Sequence, residues 1–398
     1  MADPRKKKGK VREQIDAFAI AILMAVLMKY FAIEAYQIPT SSMQPTMMGS
    51  KSAGVFDRIL VDKSRYLFFE PDRWDIAVFR YPIRVQQSYV KRIAGLPGEK
   101  LCIRGGNLYL LTGSDPSNPD HLTPLPRPTG VQEEHWKQLF PARADLHNEG
   151  TLGAAFQSSG GDWTEGEARS LTVKPRGDRR ASIIYSDSSR GGISNFVHDG
   201  YPDWIARAMI EAGEANPGEG FSNDLQHENV QDVRVGFTVA PKTEILELQA
   251  AVSIAPPGGV PLQFSFSVEA GQARLVVERD GKEAAASPPF PLTLGAGSST
   301  HLRFAHVDDR CLVEVDGVRK AELDCSGFKT LARLLPAAAV PGRSSLRVSV
   351  RGGEEVRFSE LVVERDLHYV PTLISGHVAN DVIEVPAGHY FMLGDNTL

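Results

Sequence analysis

The chain has 398 residues, 42% of them hydrophobic and 23% charged, which is ordinary for globular protein and long enough for two or three domains. Its formal net charge of −5 gives no reason to expect nucleic acid as a partner. No internal repeat of fixed period is present to suggest a solenoid or propeller.

Charge is unevenly spread. Arg5, Lys6, Lys7, Lys8, Lys10 and Arg12 crowd the first segment, residues 1–16. From about Ala17 to Ala35 the chain is apolar except for Lys29 and Glu34, which fall toward the far end where long side chains reach an interface. This pattern predicts a single transmembrane helix over 17–35 in a lipid bilayer, with the basic tail in the cytoplasm and the rest outside. A cleaved signal peptide is the competing reading of the same pattern. After it come short runs of strand length over Phe56–Val61, Ile76–Phe79, Ser88–Ile93 and Leu108–Leu111, bounded by turn signals such as Pro97-Gly98 and Gly105-Gly106-Asn107. No βαβ alternation is visible.

The stretch 112–170 is rich in Pro, Gly and Ser and reads as an irregular linker around a short helix at Val131–Leu139. Over 171–366 strand signals recur at Val233–Val239, Ile245–Ile254, Gln263–Glu269, Ala273–Glu278, His301–His306, Leu312–Val315, Val318–Leu323, Ser345–Val350 and Val356–Glu364. That spacing predicts a β-sandwich, and Asp316-Gly317 marks a tight hairpin within it. The acidic pair Asp308-Asp309 is expected on a solvated turn rather than at a calcium site. Three cysteines are present, and an extracytoplasmic location would permit a bridge between Cys311 and Cys325. No CxxC or HxxxH pattern suggests a metal, and no cofactor is implied.

Two segments carry chemistry. Pro39-Thr40-Ser41-Ser42-Met43-Gln44-Pro45-Thr46 follows the apolar stretch, and Tyr89-Val90-Lys91-Arg92-Ile93-Ala94-Gly95 comes about fifty residues later. A serine hydroxyl is a weak nucleophile until a base takes its proton, and a lysine serves as that base only when burial lowers its pKa. Lys91, flanked by Tyr89, Val90, Ile93 and Ala94, sits in suitably apolar company. With Asp57-Arg58-Ile59-Leu60-Val61, Arg73-Trp74-Asp75-Ile76-Ala77-Val78-Phe79 and Tyr390-Phe391-Met392-Leu393-Gly394-Asp395-Asn396, these form five ordered blocks. The chain thereby resembles the type I signal peptidases, over about Ile15–Leu110 and the last thirty or so residues.

The resemblance implies a mainly β fold: a signal-peptidase or LexA-like all-β catalytic domain in two parts, 36–111 and 367–398, split by the inserted sandwich. The piece Leu312–Arg319 is loosely similar to concanavalin- or laminin-G-like jelly rolls. It also implies Ser42 as nucleophile, Lys91 as base, and the Thr40 hydroxyl with the Ser42 amide as oxyanion donors. Ile38, Met43, Met47, Val78, Tyr89 and Val90 would line small substrate pockets, with Gly394, Asp395 and Asn396 in support. The substrates implied are the signal peptides of secretory preproteins, cleaved by an enzyme of the cytoplasmic membrane. Family members continue past the Gly394 block through a serine and an Asp-Arg pair that brace the site. The chain given ends at Leu398, so a truncated C-terminal motif is expected here.

Two rivals differ in class. A LexA-like autoprotease shares the dyad, but a DNA-binding helix-turn-helix would have to stand where the basic, apolar segment is. A catalytically impaired paralogue or envelope-binding protein would act through the sandwich on an envelope ligand that no residue pattern identifies. Since every residue given a chemical role lies outside Thr112–Asp366, that segment is expected to be dispensable for bond cleavage.

Overall fold

The computed structural model describes residues 10–44, 46–51, 54–82, 84–140, 156–166, 170–185, 193, 230–255, 260–328, 343–369 and 382–396. The mainly β expectation with an apolar N-terminal helix is borne out. Arg5 to Lys8 of the basic run lie outside the described residues.

The helix Lys10–Leu27 runs on through a π-helical turn, Met28–Ala32, and residues Arg12–Ala32 are long and apolar enough to cross a membrane. It ends earlier than the sequence suggests. Ile33–Gln37 is a strand paired antiparallel with Arg58–Asp62, and Glu34 bridges Lys63 at 3.2 Å. Strand pairing satisfies the backbone there without helix, so the apolar run divides between two elements.

Two small sheets follow. In one, the long strand Arg84–Gly95 lies between Ile76–Tyr81 and Phe391–Leu393. The other has the order Ile383–Glu384, Lys100–Arg104, Asn107–Leu111, Leu122–Pro124. They share a core of Trp74, Ala94, Leu101, Ile103, Leu108, Ile383, Val385 and Leu393, which Leu367 and Tyr369 enter from the far side of the insertion. The Tyr369 amide donates to the Gly106 carbonyl at 3.0 Å, closing the gap between the two halves.

The insertion is a sandwich of two eight-stranded antiparallel sheets. One is centred on Val356–Arg365, Val233–Pro241 and Thr300–Val307, and the other on Arg343–Arg351, Glu247–Ala255 and Leu262–Glu269. Their alternating apolar residues, among them Phe237, Phe264, Phe266, Phe304 and Phe358, meet in one fully buried core. Asp316 (φ 50°) and Gly317 (φ 77°) form the hairpin turn between Arg310–Val315 and Val318–Asp324, where both central residues need positive φ.

The stretch 112–170 differs most from its reading as linker. Leu122–Pro124 extends the second small sheet, the helix Thr129–His135 stops short, and Lys137–Phe140 pairs with Val356–Arg365 of the sandwich. Phe156–Ser159 and Gly161–Glu165 belong to opposite sheets, with Gly160 at the corner between them. These strands are only three to five residues long, so their partners dictate them where local preference does not.

Asp308 and Asp309 are 5% and 2% exposed rather than solvated, because their turn packs against the small sheets outside the sandwich. The Asp308, Asp232 and Asp366 carboxylates come within 4.8 Å of one another there. Arg127 lies 2.5 Å from Asp366 and 3.4 Å from Asp308, Arg310 lies 4.0 Å from Asp308, and His306 lies 3.4 Å from Asp232. These cations compensate the carboxylates, and the cluster reads as a buried ion-pair junction. From the second small sheet, Asn107 donates to Asp232, and Tyr109 donates to Asp309 at 3.3 Å. Cys311 and Cys325 are free thiols whose sulfurs lie 3.5 Å apart, so the bridge that the sequence would permit is not formed.

Burial alone would push His306 down, but its hydrogen bond to Asp232 and that carboxylate's charge push it up to about 9. A cation whose folded pKa exceeds its unfolded value of 6.5 contributes stability that is complete below pH 6.5 and lost as pH rises through about 9. Asp232→Asn is therefore expected to destabilise by about 3 kcal/mol below pH 6.5, and by progressively less toward pH 9. Denaturant unfolding of both proteins across that window measures the difference.

Candidate active site

The serine segment is pinned at both ends by Asp57. The Ile38 amide donates to the Asp57 carbonyl at 2.9 Å, and the Met48 amide donates to its carboxylate at 2.6 Å. Between these anchors Ser41–Met43 makes one 3₁₀ turn, closed by the Gln44 amide on the Ser41 carbonyl. Met43, 1% exposed, plugs the turn into the interior and leaves Ser42 half-buried beside it. Thr40 is extended and exposed immediately upstream.

Lys91 comes from the strand Arg84–Gly95, opposite Ala77. Gly394 brings it to the serine: a methyl group there would lie 2.3 Å from the Ser42 carbonyl oxygen and 3.0 Å from Lys91 Nζ. Only a residue without Cβ lets these groups approach. Burial pushes the Lys91 amine below its ordinary pKa, and the Asp395 charge works in the opposite direction.

Asp395 and Asn396 lock this arrangement. The Asn396 amide donates to the Ser42 carbonyl at 3.3 Å and its side-chain NH₂ to the Ser41 carbonyl at 3.1 Å. Asp395 is fully buried and takes a two-point contact from Arg92, Nε to Oδ1 at 2.9 Å and Nη2 to Oδ2 at 2.8 Å. The Thr46 hydroxyl donates to Oδ2 at 2.6 Å, and His135 Nε2 stands 3.3 Å from the same oxygen. Burial alone would raise the Asp395 carboxyl, but hydrogen bonds from His135 and Arg92 reverse this and hold it well below the carboxylate range. Burial likewise pushes His135 down to about 4, against the pull of Asp395.

Strand register divides the residues proposed to line substrate pockets. Tyr89, opposite Phe79, shares the face of Lys91, whereas Val78 and Val90 pair across the strands on the face of Arg92. Ile38 is buried, Met47 is half-buried, and Tyr89 is exposed, stacked on Phe79 and tilted against Tyr81. The supporting group Gly394–Asn396 is joined by three residues that the sequence left without a role: Arg92, Thr46 and His135. Arg92 was legible as the neighbour of the lysine. His135, a lone histidine in a Pro-rich stretch, offered no signal. It lies within the segment expected to be dispensable, so a side chain between Thr112 and Asp366 stands beside Asp395.

Fold and site together define a mainly β protein in which a serine turn and a half-buried lysine meet at one glycine. Residues 11–119 match the family model described as "Signal peptidase, peptidase S26". Signal peptidase I of Rickettsia conorii is 32% identical over 113 residues, spanning 25% of this chain and 42% of the relative. A probable signal peptidase I-1 of Synechocystis is 33% identical over 106 residues, spanning 25% of this chain and 51% of that one. The chain thus spans about half or less of the length of these relatives. The resemblance to type I signal peptidases is borne out over that N-terminal segment. Among solved structures, the carbohydrate-binding module CBM66 from Bacillus subtilis covers 53% of the chain at 10% identity with a TM-score of 0.30, a likeness that assigns no ligand to the sandwich.

Gly394→Ala is expected to force the Asp395 turn away from Ser42, costing about 1–3 kcal/mol in denaturant unfolding. The larger Gly394→Val should cost more, since both must displace a backbone carbonyl and the lysine amine.

Proposed function

We propose that this protein is a membrane-bound serine endopeptidase that removes N-terminal signal peptides from secreted preproteins. The observation that carries this reading is the convergence of Ser42 and the half-buried Lys91 on Gly394, in a chain whose first 119 residues include the signal peptidase match. Neutral Lys91 takes the Ser42 proton as the hydroxyl attacks the scissile carbonyl, hands it to the departing amine as the peptide bond breaks, and, neutral again, activates the water that releases the acyl-enzyme. The Ser42 amide and the Thr40 hydroxyl stabilise the oxyanion.

Among the described residues, the strand Arg84–Gly95 is paired on its second edge only from Arg92 onward, by Phe391–Leu393. An extended substrate would add as a strand along the open Ser88–Lys91 edge, next to the serine. Ile38, Met43, Met47, Val78, Tyr89 and Val90 would then select small side chains near the cut.

The apolar helix anchors the chain in the cytoplasmic membrane, its basic tail inside and the β-domains outside. Leu60, Leu67, Phe68 and Phe69 are 66–77% exposed on the strand that pairs with the helix exit and on the turn after it, which suits a surface lying against lipid. An envelope ligand, if the sandwich takes one, would meet the polar cleft lined by Arg180, Glu247, Ser265, Arg274 and Glu278.

In detergent, the full chain is expected to cleave a preprotein after a small residue, and Ser42→Ala or Lys91→Ala should abolish turnover. Lys91→Arg gives no rescue, since guanidinium stays protonated. The rate should rise with pH through a midpoint below the ordinary lysine value of 10.5, because only the neutral amine is a base. Cleavage by either alanine variant, or a pH-independent chemical step, would overturn the reading.

A further inference from the structure

His135 ends the helix Thr129–His135, between a strand of the catalytic sheet, Leu122–Pro124, and a strand of the sandwich sheet, Lys137–Phe140. Its imidazole is completely buried. Nε2 lies 3.3 Å from Asp395 Oδ2, the oxygen that also receives Thr46 and Arg92 Nη2. Neither ring nitrogen has a well-aligned hydrogen-bond partner among the described residues, so Nε2 meets the carboxylate as a close polar contact. With burial holding the ring at about 4, that contact is made by a neutral imidazole across the neutral pH range. Asp395 in turn lies between Gly394, in contact with Ser42 and Lys91 Nζ, and Asn396, which donates twice to the serine turn.

We propose that His135 is a positioning residue through which the inserted segment holds the Gly394–Asn396 turn against Ser42 and Lys91. The catalytic consequence rests on the peptidase reading above, while the positioning itself does not. Fixing Asp395 from a third direction, beside Arg92 and Thr46, stops the turn from rocking about the Arg92 contact. Small displacements of a serine relative to its base are costly. The insertion is on this account part of the machinery that aligns the dyad.

The test compares His135→Phe, which fills the site without a polar atom, with His135→Gln, whose amide nitrogen falls near the position of Nε2. In the full chain, His135→Phe is expected to lower kcat about tenfold or more while KM changes by less than about twofold. His135→Gln should recover most of the loss. Independently of activity, hydrogen exchange at the Asn396 amide should quicken about tenfold in His135→Phe, with the sandwich strands unchanged. If His135→Phe does not fold, His135→Asn, too short to reach Asp395, takes its place.

A folded His135→Phe or His135→Asn variant with wild-type kcat and wild-type Asn396 exchange would overturn the proposal. So would failure of His135→Gln to recover either quantity. Should the wild-type chain cleave no preprotein, the peptidase reading fails, and Asn396 exchange still decides the role of His135.

Discussion

The rest of the structure depends on the buried pair of Arg92 and Asp395, two residues 303 positions apart. Neither charge is tolerable in the interior without the other, since an isolated buried ion costs far more than a folded domain can spare. Arginine suits the task because its planar fork meets both carboxylate oxygens at once, which fixes orientation as well as distance. A lysine in its place would fix neither. Thr46 uses a lone pair that Arg92 leaves, His135 Nε2 stands 3.3 Å away, and Arg92 Nη1 reaches the Trp74 carbonyl at 2.9 Å. Four separate stretches of chain are thereby held at one carboxylate.

That constraint explains how a large insertion is compatible with a site built from both ends of the chain. The sandwich must return its exit strand beside its entry, and a second buried ionic cluster does so. Arg127 pairs with Asp366 and Asp308 while its guanidinium lies over the rings of Trp74 and Tyr369, 5.3 and 5.6 Å from their centroids. Trp74 therefore touches both networks, through its carbonyl to Arg92 and through its ring to Arg127. The path from Asp366 to Asp395 is continuous polar and aromatic contact, and the helix Thr129–His135 runs alongside it, with Gln132 donating to Asp366 at 2.7 Å.

What was legible in the sequence follows from which interactions are local. The alternation of the sandwich strands, the Asp316-Gly317 turn and the serine and lysine blocks are written in neighbouring residues, and they were readable. The helix over Val131–Leu139 was half right: Thr129–His135 is helical, but Lys137–Phe140 pairs with a strand more than 200 residues away, which no window around it contains. Asp308, Asp309 and His135 were misread or overlooked for the same reason. A buried polar residue carries no periodic signature, because its burial is licensed by partners distant in the chain.

The same network bears on the lysine. Burial depresses the pKa of Lys91, yet a bare carboxylate behind Gly394 would undo this by stabilising the ammonium. Asp395 supplies that opposing field, and its oxygens are already directed at Arg92, Thr46 and His135. A carboxylate engaged by a cation and a hydroxyl donor projects a weaker field than a free one at the same distance. The Arg92 pair thus does two things with one geometry. It holds the turn that brings the lysine to the serine, and it weakens the Asp395 field that favours the protonated form of that lysine.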